Sequence, residues 1–191
     1  MKILGISGSP RKRGNTDILL EEVLKGASVC GAETAKIVLN DLDISPCQEK
    51  EYTDINGEGF SVVDDDMKIV YDKVSDADVL VIASPVFFGS LSAQMKTMID
   101  RFQCVWLAKH IFKKNIFPVR KIGGFICVSS AERQDFFDNA RSIVRHFFAV
   151  INAEYKDELF CSGIDKKGGI RERPDLVEKA YKMGQTLAAC P

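Results

Sequence analysis

Little in this chain points to metal, disulfide or membrane chemistry. Histidine is scarce: only His110 and His146 are present, far apart in sequence, and no zinc site can be argued from them. No two of the six cysteines (Cys30, Cys47, Cys104, Cys127, Cys161 and Cys190) stand in Cys-x-x-Cys spacing. Without a secretion signal on a chain of 191 residues, a disulfide scaffold is not expected. Cys127, inside an apolar strand-like run, reads as core. An excess of one charge is also missing, and a net charge of −1 supplies no global field for nucleic acid or an anionic membrane. No apolar run approaches the ~20 residues that span a bilayer. The start enters a strand directly, with no signal-peptide pattern, so a cytoplasmic location is the expectation. What remains suits a soluble globular protein with one domain over residues 1–191.

Two common phosphate loops are absent as well. Five residues, not four, separate Gly8 from Gly14, and Asn15-Thr16 follows where a Walker loop needs Lys-Ser/Thr. Gly5, Gly8 and Gly14 do not have Gly-x-Gly-x-x-Gly spacing either. Yet the segment from Lys2 to Thr16 is an apolar run that breaks into Gly, Ser, Pro and Arg and then opens a helix. Such a junction offers backbone N–H groups and a positive dipole end to one anion. Ser7, Ser9, Asn15 and Thr16 add hydrogen-bond donors, and Arg11 adds charge. The segment reads as a phosphate cradle; an ordinary tight βα turn is the bland alternative.

Strand and helix patterns then alternate. Residues 35–39 read as a second strand, and 77–83 as a central parallel strand, apolar almost throughout. Further strands are expected over 122–128 and, polar and edge-like, over 154–160. Helical stripes lie between them: Leu20, Val23, Leu24 and Ala27; Met67, Val70, Tyr71 and Val74; Leu91, Met95, Met98, Ile99 and Phe102. Phe136 to Phe148 and Leu176 to Leu187 supply two more. Five strands with crossover helices imply an α/β fold with a doubly wound, five-stranded parallel sheet. Two segments break the alternation: residues 45–63, polar and glycine-containing, and residues 104–120, apolar and basic with Trp106 and Phe112. The second reads as an oligomer interface, or as a cover over a partner subunit's site.

A second constellation, Ser84-Pro85-Val86-Phe87-Phe88-Gly89-Ser90, follows the central strand. Ligands of open α/β sheets bind beyond the carboxyl ends of strands, at a switch in strand order. A ligand with a phosphate at one end and a flat ring at the other suits the polar first loop and this aromatic second one. Phe87 and Phe88 can pack on the ring while backbone groups of Val86 to Gly89 meet its polar edge; both phenylalanines as plain core is the alternative. A third polar loop, Ser129 to Gln134, lies on the same edge.

At these residues the chain resembles a known family. Gly8-Ser9-Pro10-Arg11 with Gly14-Asn15-Thr16 is similar to the FMN phosphate loop of the NAD(P)H-dependent FMN reductase superfamily. Residues 84–90, then Ala93-Gln94-Met95-Lys96 and Ile99-Asp100-Arg101, resemble its second flavin loop and following helix. The combination looks most like the iron–sulfur flavoprotein branch, over most of the chain up to about residue 150. The resemblance implies a flavodoxin-like fold, bound FMN, NAD(P)H as electron donor, and a homodimer or homotetramer. It implies that Ser9, Arg11, Asn15 and Thr16 hold the phosphate. It implies that Pro85, Val86, Phe87, Phe88 and Gly89 meet the isoalloxazine, with Ser129 as a further flavin contact. One departure matters. Cluster-bearing relatives place a compact group of cysteines after the second strand, where this chain has Cys47 alone. Four thiolates are the usual requirement, so no iron–sulfur cluster is expected, and Cys47 is a relic or a lone reactive thiol.

The expected activity is hydride transfer from NADH or NADPH to FMN, then electron delivery to a small acceptor: a quinone, free flavin, nitroaromatic or metal ion. FMN carries such chemistry, so no catalytic side chain is implied. The rival is a non-enzymatic electron carrier or redox sensor. Carriers of the flavodoxin type are usually strongly acidic, and this chain is almost neutral.

Overall fold

In a computed structural model of the protein, residues 1–48, 60–61 and 63–189 are described. The middle of the 45–63 excursion, with Glu49 to Tyr52, and Cys190 lie outside the described residues. The chain alternates β1 (Lys2–Ser7), α1 (Asn15–Val29), β2 (Glu33–Val38), α2 (Met67–Asp76) and β3 (Val79–Phe87). It continues through β4 (Ser90–Leu91), α3 (Ala93–Arg101), α4 (Gln103–His110) and β5 (Lys121–Val128). It ends with α5 (Gln134–Val150), β6 (Ala153–Cys161) and α6 (Pro174–Ala188). The strand order is β2-β1-β3-β5-β6, every neighbouring pair parallel. This is the doubly wound flavodoxin-like order, and its direction reverses between β1 and β3.

Strand periodicity explains the two-sided core. Leu4, Ile6, Leu80, Ile82, Phe125 and Cys127 pack on one face with side chains from α2, α3 and α5. Their neighbours Ile3, Val79, Val81, Ile126 and Val128 pack on the other with α1 and α6. Successive residues of a strand point to opposite faces, so a strand covered on both sides must be apolar throughout. Helices α1 and α6 touch backbone to backbone: a Cβ on Gly26 would sit 2.0 Å from Tyr181 O, and one on Gly184 would sit 1.9 Å from Val23 O. Only glycine permits that approach. It locks the C-terminal halves of the two helices against each other.

Two expectations need correction. The central strand does not stop at Ala83. It runs on to Phe87, with Pro85 opposite Val128, and then folds back as β4, pairing Val86 with Leu91 and Phe87 with Ser90. A sixth, two-residue antiparallel strand thus joins the five parallel ones. Proline hides this in the sequence, because it usually marks a strand's end or edge. The 104–120 segment is not irregular at its start either. Helix α4 follows α3 with only Phe102 between them, and it buries Cys104, Val105 and Ala108. No strand separates the two helices, which breaks the alternation that the sequence pattern relied on.

Candidate functional site

At the carboxyl ends of β1 and β3 the chain builds a cradle. Gly8 N donates to Ala83 O at 2.8 Å, stapling the turn after β1 to the end of β3. Ser92 Oγ donates to Gly8 O at 2.6 Å, while Ser84 Oγ accepts from Ser92 N at 3.0 Å. A Cβ on Gly8 would lie 2.8 Å from Met95 Cβ, so no larger residue fits there. Ser9 Oγ accepts from Arg11 N at 3.2 Å, and Gly14 N donates to Arg11 O at 2.9 Å. Gly14 caps α1 without a side-chain acceptor. The first internal bond of that helix runs from Ile18 N to Gly14 O, 3.0 Å, leaving the N–H groups ahead of it without an intrahelical partner. One residue behind the cradle, the fully buried Ser7 Oγ has no hydrogen-bond partner among the described residues.

The cavity beside this turn has a volume of about 80 Å³ and opens to solvent. Ser9, Arg11, Asn15 and Thr16 form one wall. Pro85, Val86 and Phe87 form a second. Seven of the ten residues expected at the site therefore meet in one place. Phe88, Gly89 and Ser129 fall outside the lining. Phe88 stands at the hairpin tip with its ring fully exposed and a left-handed φ of 49°. Gly89, with φ of 75°, is held at the same tip by Asn139 Nδ2, which donates to Gly89 O at 2.8 Å. Ser129 is buried and its Oγ accepts from Ala131 N at 3.1 Å, whereas its neighbour Ser130 lines the cavity.

A third wall was missed in the sequence: Ile164, Asp165 and Lys167, from the loop between β6 and α6. Gly163 and Gly168, both with left-handed φ, shape that loop. The Lys166-Lys167-Gly168-Gly169 run at the end of a strand was the available signal, since that strand end shares the ligand edge. Asn15 is committed to this loop: its Nδ2 donates to Lys166 O at 2.9 Å, and its Oδ1 accepts from Ile170 N at 3.2 Å.

The donor set fits a phosphate. Lys12 pairs with Asp41 at 2.9 Å and Lys166 with Glu172 at 3.7 Å. Among the described residues Arg11 and Lys167 have no carboxylate partner. Arg11 spends one N–H on Asp165 O at 3.4 Å. Free cations, an uncapped helix N-terminus and hydroxyls on one concave surface are the chemistry an anionic group requires.

A second basic centre lies elsewhere and is saturated. Arg101, buried in α3, forms an ion pair with Asp65 and donates to Ser45 O at 2.9 Å. Asp65 also accepts from Ser45 N and Met67 N, both at 3.0 Å. Burial pushes the Asp65 carboxyl up, but the Arg101 guanidinium and the two N–H groups outweigh it and hold it below the ordinary aspartate value. Beside them Tyr71 Oη donates to Arg101 O at 2.6 Å, and burial raises the Tyr71 phenol and the Cys104 thiol. This cluster pins both ends of the 45–65 excursion to α3. A separate open groove brings together Cys47, His110 and His146, remote in sequence, with Trp106 stacked on His110 at 4.7 Å. No group of three or more His, Cys, Asp or Glu placed to hold a metal occurs among the described residues.

Comparisons with known proteins bear on the family and the fold. The family model for NADPH-dependent FMN reductase matches residues 1–154. An iron–sulfur flavoprotein of Methanocaldococcus jannaschii is 34% identical over 200 residues, covering 98% of this chain and 96% of that protein. Another, from Methanosarcina thermophila, is 34% identical over 124 residues, 65% of this chain and 64% of that one. The solved NAD(P)H:quinone oxidoreductase from Methanothermobacter marburgensis superposes with a TM-score of 0.77 at 17% identity, covering 100% of this chain and 98% of that one. At that identity the likeness concerns the fold.

Proposed function

The chain belongs to the NADPH-dependent FMN reductase family and is an oxidoreductase; from that premise we propose that it binds FMN in the β1/β3 cradle and passes electrons from NAD(P)H to a small acceptor. The observation that carries this reading is the single cavity in which Arg11 and an uncapped helix N-terminus face the Phe87 lip. Arg11, Ser9 and the N–H groups opening α1 hold the phosphate, and Thr16 adds its hydroxyl. Asn15 acts through the β6–α6 loop that it braces. A cavity of about 80 Å³ is small beside the ~300–1,000 Å³ of pockets that enclose a drug-sized ligand. The phosphate therefore sits inside and the ring lies across the open rim, against Val86 and Phe87. FMN supplies a ring that accepts a hydride and releases electrons singly or in pairs. The protein contributes position, and the backbone donors of the 86–89 hairpin favour negative charge on the ring.

Acceptors compatible with an open rim are quinones, free flavin, nitroaromatics and metal ions. Cys47 is the only cysteine between β2 and α2, and one thiolate does not hold a cluster of the usual kind. We therefore read the site as cluster-free, unlike the iron–sulfur relatives. The exposed apolar side chains of Trp106, Ile111 and Phe112 are our choice for a self-association face in a homodimer or homotetramer. Light scattering that finds only monomer at micromolar concentration would remove that choice.

The deciding experiment is a visible spectrum of the purified protein, followed by NADPH or NADH without oxygen. Flavin bands that bleach promptly, with no bound iron in a metal assay, are expected. A broad extra absorbance with stoichiometric iron would overturn the cluster-free reading. A protein that neither carries FMN nor takes it up would overturn the central claim.

A further inference from the structure

We propose that Lys167, on the loop between β6 and α6, is the second cation of the phosphate site, and that Asn15 is the positioning residue that places it. The proposal rests on the FMN reading above and extends it beyond residues 1–154, where the family match ends.

Three observations converge. First, charge at the cradle is incomplete without this residue. A phosphate monoester carries about −1.5 to −2 at neutral pH. Of the basic residues in the first loop, Lys12 is already paired with Asp41 and Arg13 does not line the cavity, so Arg11 alone faces the anion. Lys167 lines the same cavity from the β6–α6 loop. Asp165 is the one acidic residue of that lining, and its carbonyl is turned to Arg11. Second, the two adjacent lysines are treated differently. Lys166 has Glu172 at 3.7 Å, whereas Lys167 has no carboxylate partner among the described residues. Third, the loop is held in place. Asn15 joins it through both ends of its amide, Arg11 joins it through Asp165 O, and Ile164 N donates to Ser129 O at 3.2 Å. Asn15 is only 9% exposed, so its two bonds are sheltered from water. The same asparagine that opens α1 thus ties the helix N-terminus to the lysine-bearing loop. A long lysine on a tethered loop loses less freedom on meeting an anion than one on an untethered loop.

The test is titration of the flavin-stripped protein with FMN and, separately, with riboflavin, followed by quenching of flavin fluorescence at several salt concentrations. In Lys167→Gln the FMN affinity should fall roughly tenfold, the low end of a charge-assisted hydrogen bond. Its salt dependence should flatten, and riboflavin affinity should stay at the wild-type value. Lys167→Arg should keep most of the FMN affinity. In Asn15→Ala, adding Lys167→Gln should lower FMN affinity by much less than in wild type, because an unplaced lysine has little left to lose. FMN binding by Lys167→Gln within twofold of wild type would overturn the assignment. Equal losses for FMN and riboflavin would also overturn it, since the change would then act through packing. Full additivity of the two substitutions would overturn the role given to Asn15. A wild-type protein that binds riboflavin as tightly as FMN would instead remove the phosphate reading of the cradle itself, and Lys167 with it.

Discussion

Arg11 and Arg101 show how one side chain serves two ends in the same small domain. Arg101 is 3% exposed, and its guanidinium meets Asp65, the Ser45 carbonyl and the Ser61 hydroxyl. Arg11 is exposed, lines a cavity, and touches a single carbonyl at 3.4 Å. Folding alone satisfies the first. The second retains donors that nothing else in the described chain uses. A buried charge must be paired to exist at all, whereas an unpaired one on a concave, donor-rich surface is available to a ligand. The two centres are also divided in sequence logic: the Arg101 cluster joins residues up to 56 apart, while the cradle is built largely within residues 7–16.

The comparison is broken most severely at Arg101. Arg101→Met strands the Asp65 carboxylate in the interior, and stability should drop by about 3–5 kcal/mol in urea unfolding. Pairing it with Asp65→Leu should restore much of the loss, because no orphan charge then remains. The native pair carries a pH signature. The folded-state pKa of Asp65 is depressed, so its contribution is present at neutral pH and disappears as pH falls below the ordinary aspartate value. Acid unfolding of Arg101→Met should lack that component. A loss under ~1 kcal/mol in the single variant would place Arg101 in the class of weak surface pairs.

Arg11→Ala probes the other arm and should act on the ligand, not on the fold. FMN binding should weaken by about 1–3 kcal/mol, with the urea midpoint of the flavin-free protein unchanged. An unaltered FMN titration would strip Arg11 of its role. A shifted midpoint would make the contrast with Arg101 one of degree.

The same contrast explains how much was legible beforehand. The cradle residues Ser9, Arg11, Asn15 and Thr16 are contiguous with a strand end and a helix start, so local rules locate them. The doubly wound parallel sheet followed from the alternation of apolar runs with helical stripes, and its flavodoxin-like order from the family resemblance. Lys167 was not found, because its loop after β6 meets the cradle only in three dimensions; the Ser129 to Gln134 loop was placed on the right edge, but with Ser129 chosen where Ser130 lines the cavity. Asn15 was located but its task was not: its amide faces residues 151 and 155 positions away. The Arg101–Asp65 pair gave no local signal. Arg101 occupies the last turn of α3, where a basic residue satisfies the helix dipole without any distant partner.

Phe88 offers the finest division between the two kinds of residue. It adopts φ of 49°, a region that costs a bulky L-residue about 1–2 kcal/mol, and its ring is fully exposed and repays none of that by burial. Neighbouring contacts impose the geometry: Asn139 holds Gly89 O, and a Cβ on Gly89 would sit 3.1 Å from the Phe136 ring. An asparagine at this position tolerates the left-handed region. Phe88→Asn should therefore raise stability by roughly 0.5–1 kcal/mol, seen as a higher urea midpoint, while FMN affinity holds. If the ring is kept for an aromatic acceptor approaching the rim beside Phe87, turnover with a quinone should slow through a higher KM, while reduction by NADPH keeps its rate. If stability rises and every kinetic constant stays the same, the exposed ring serves neither the fold nor this reaction, and the acceptor must meet the flavin along the Val86–Phe87 wall instead.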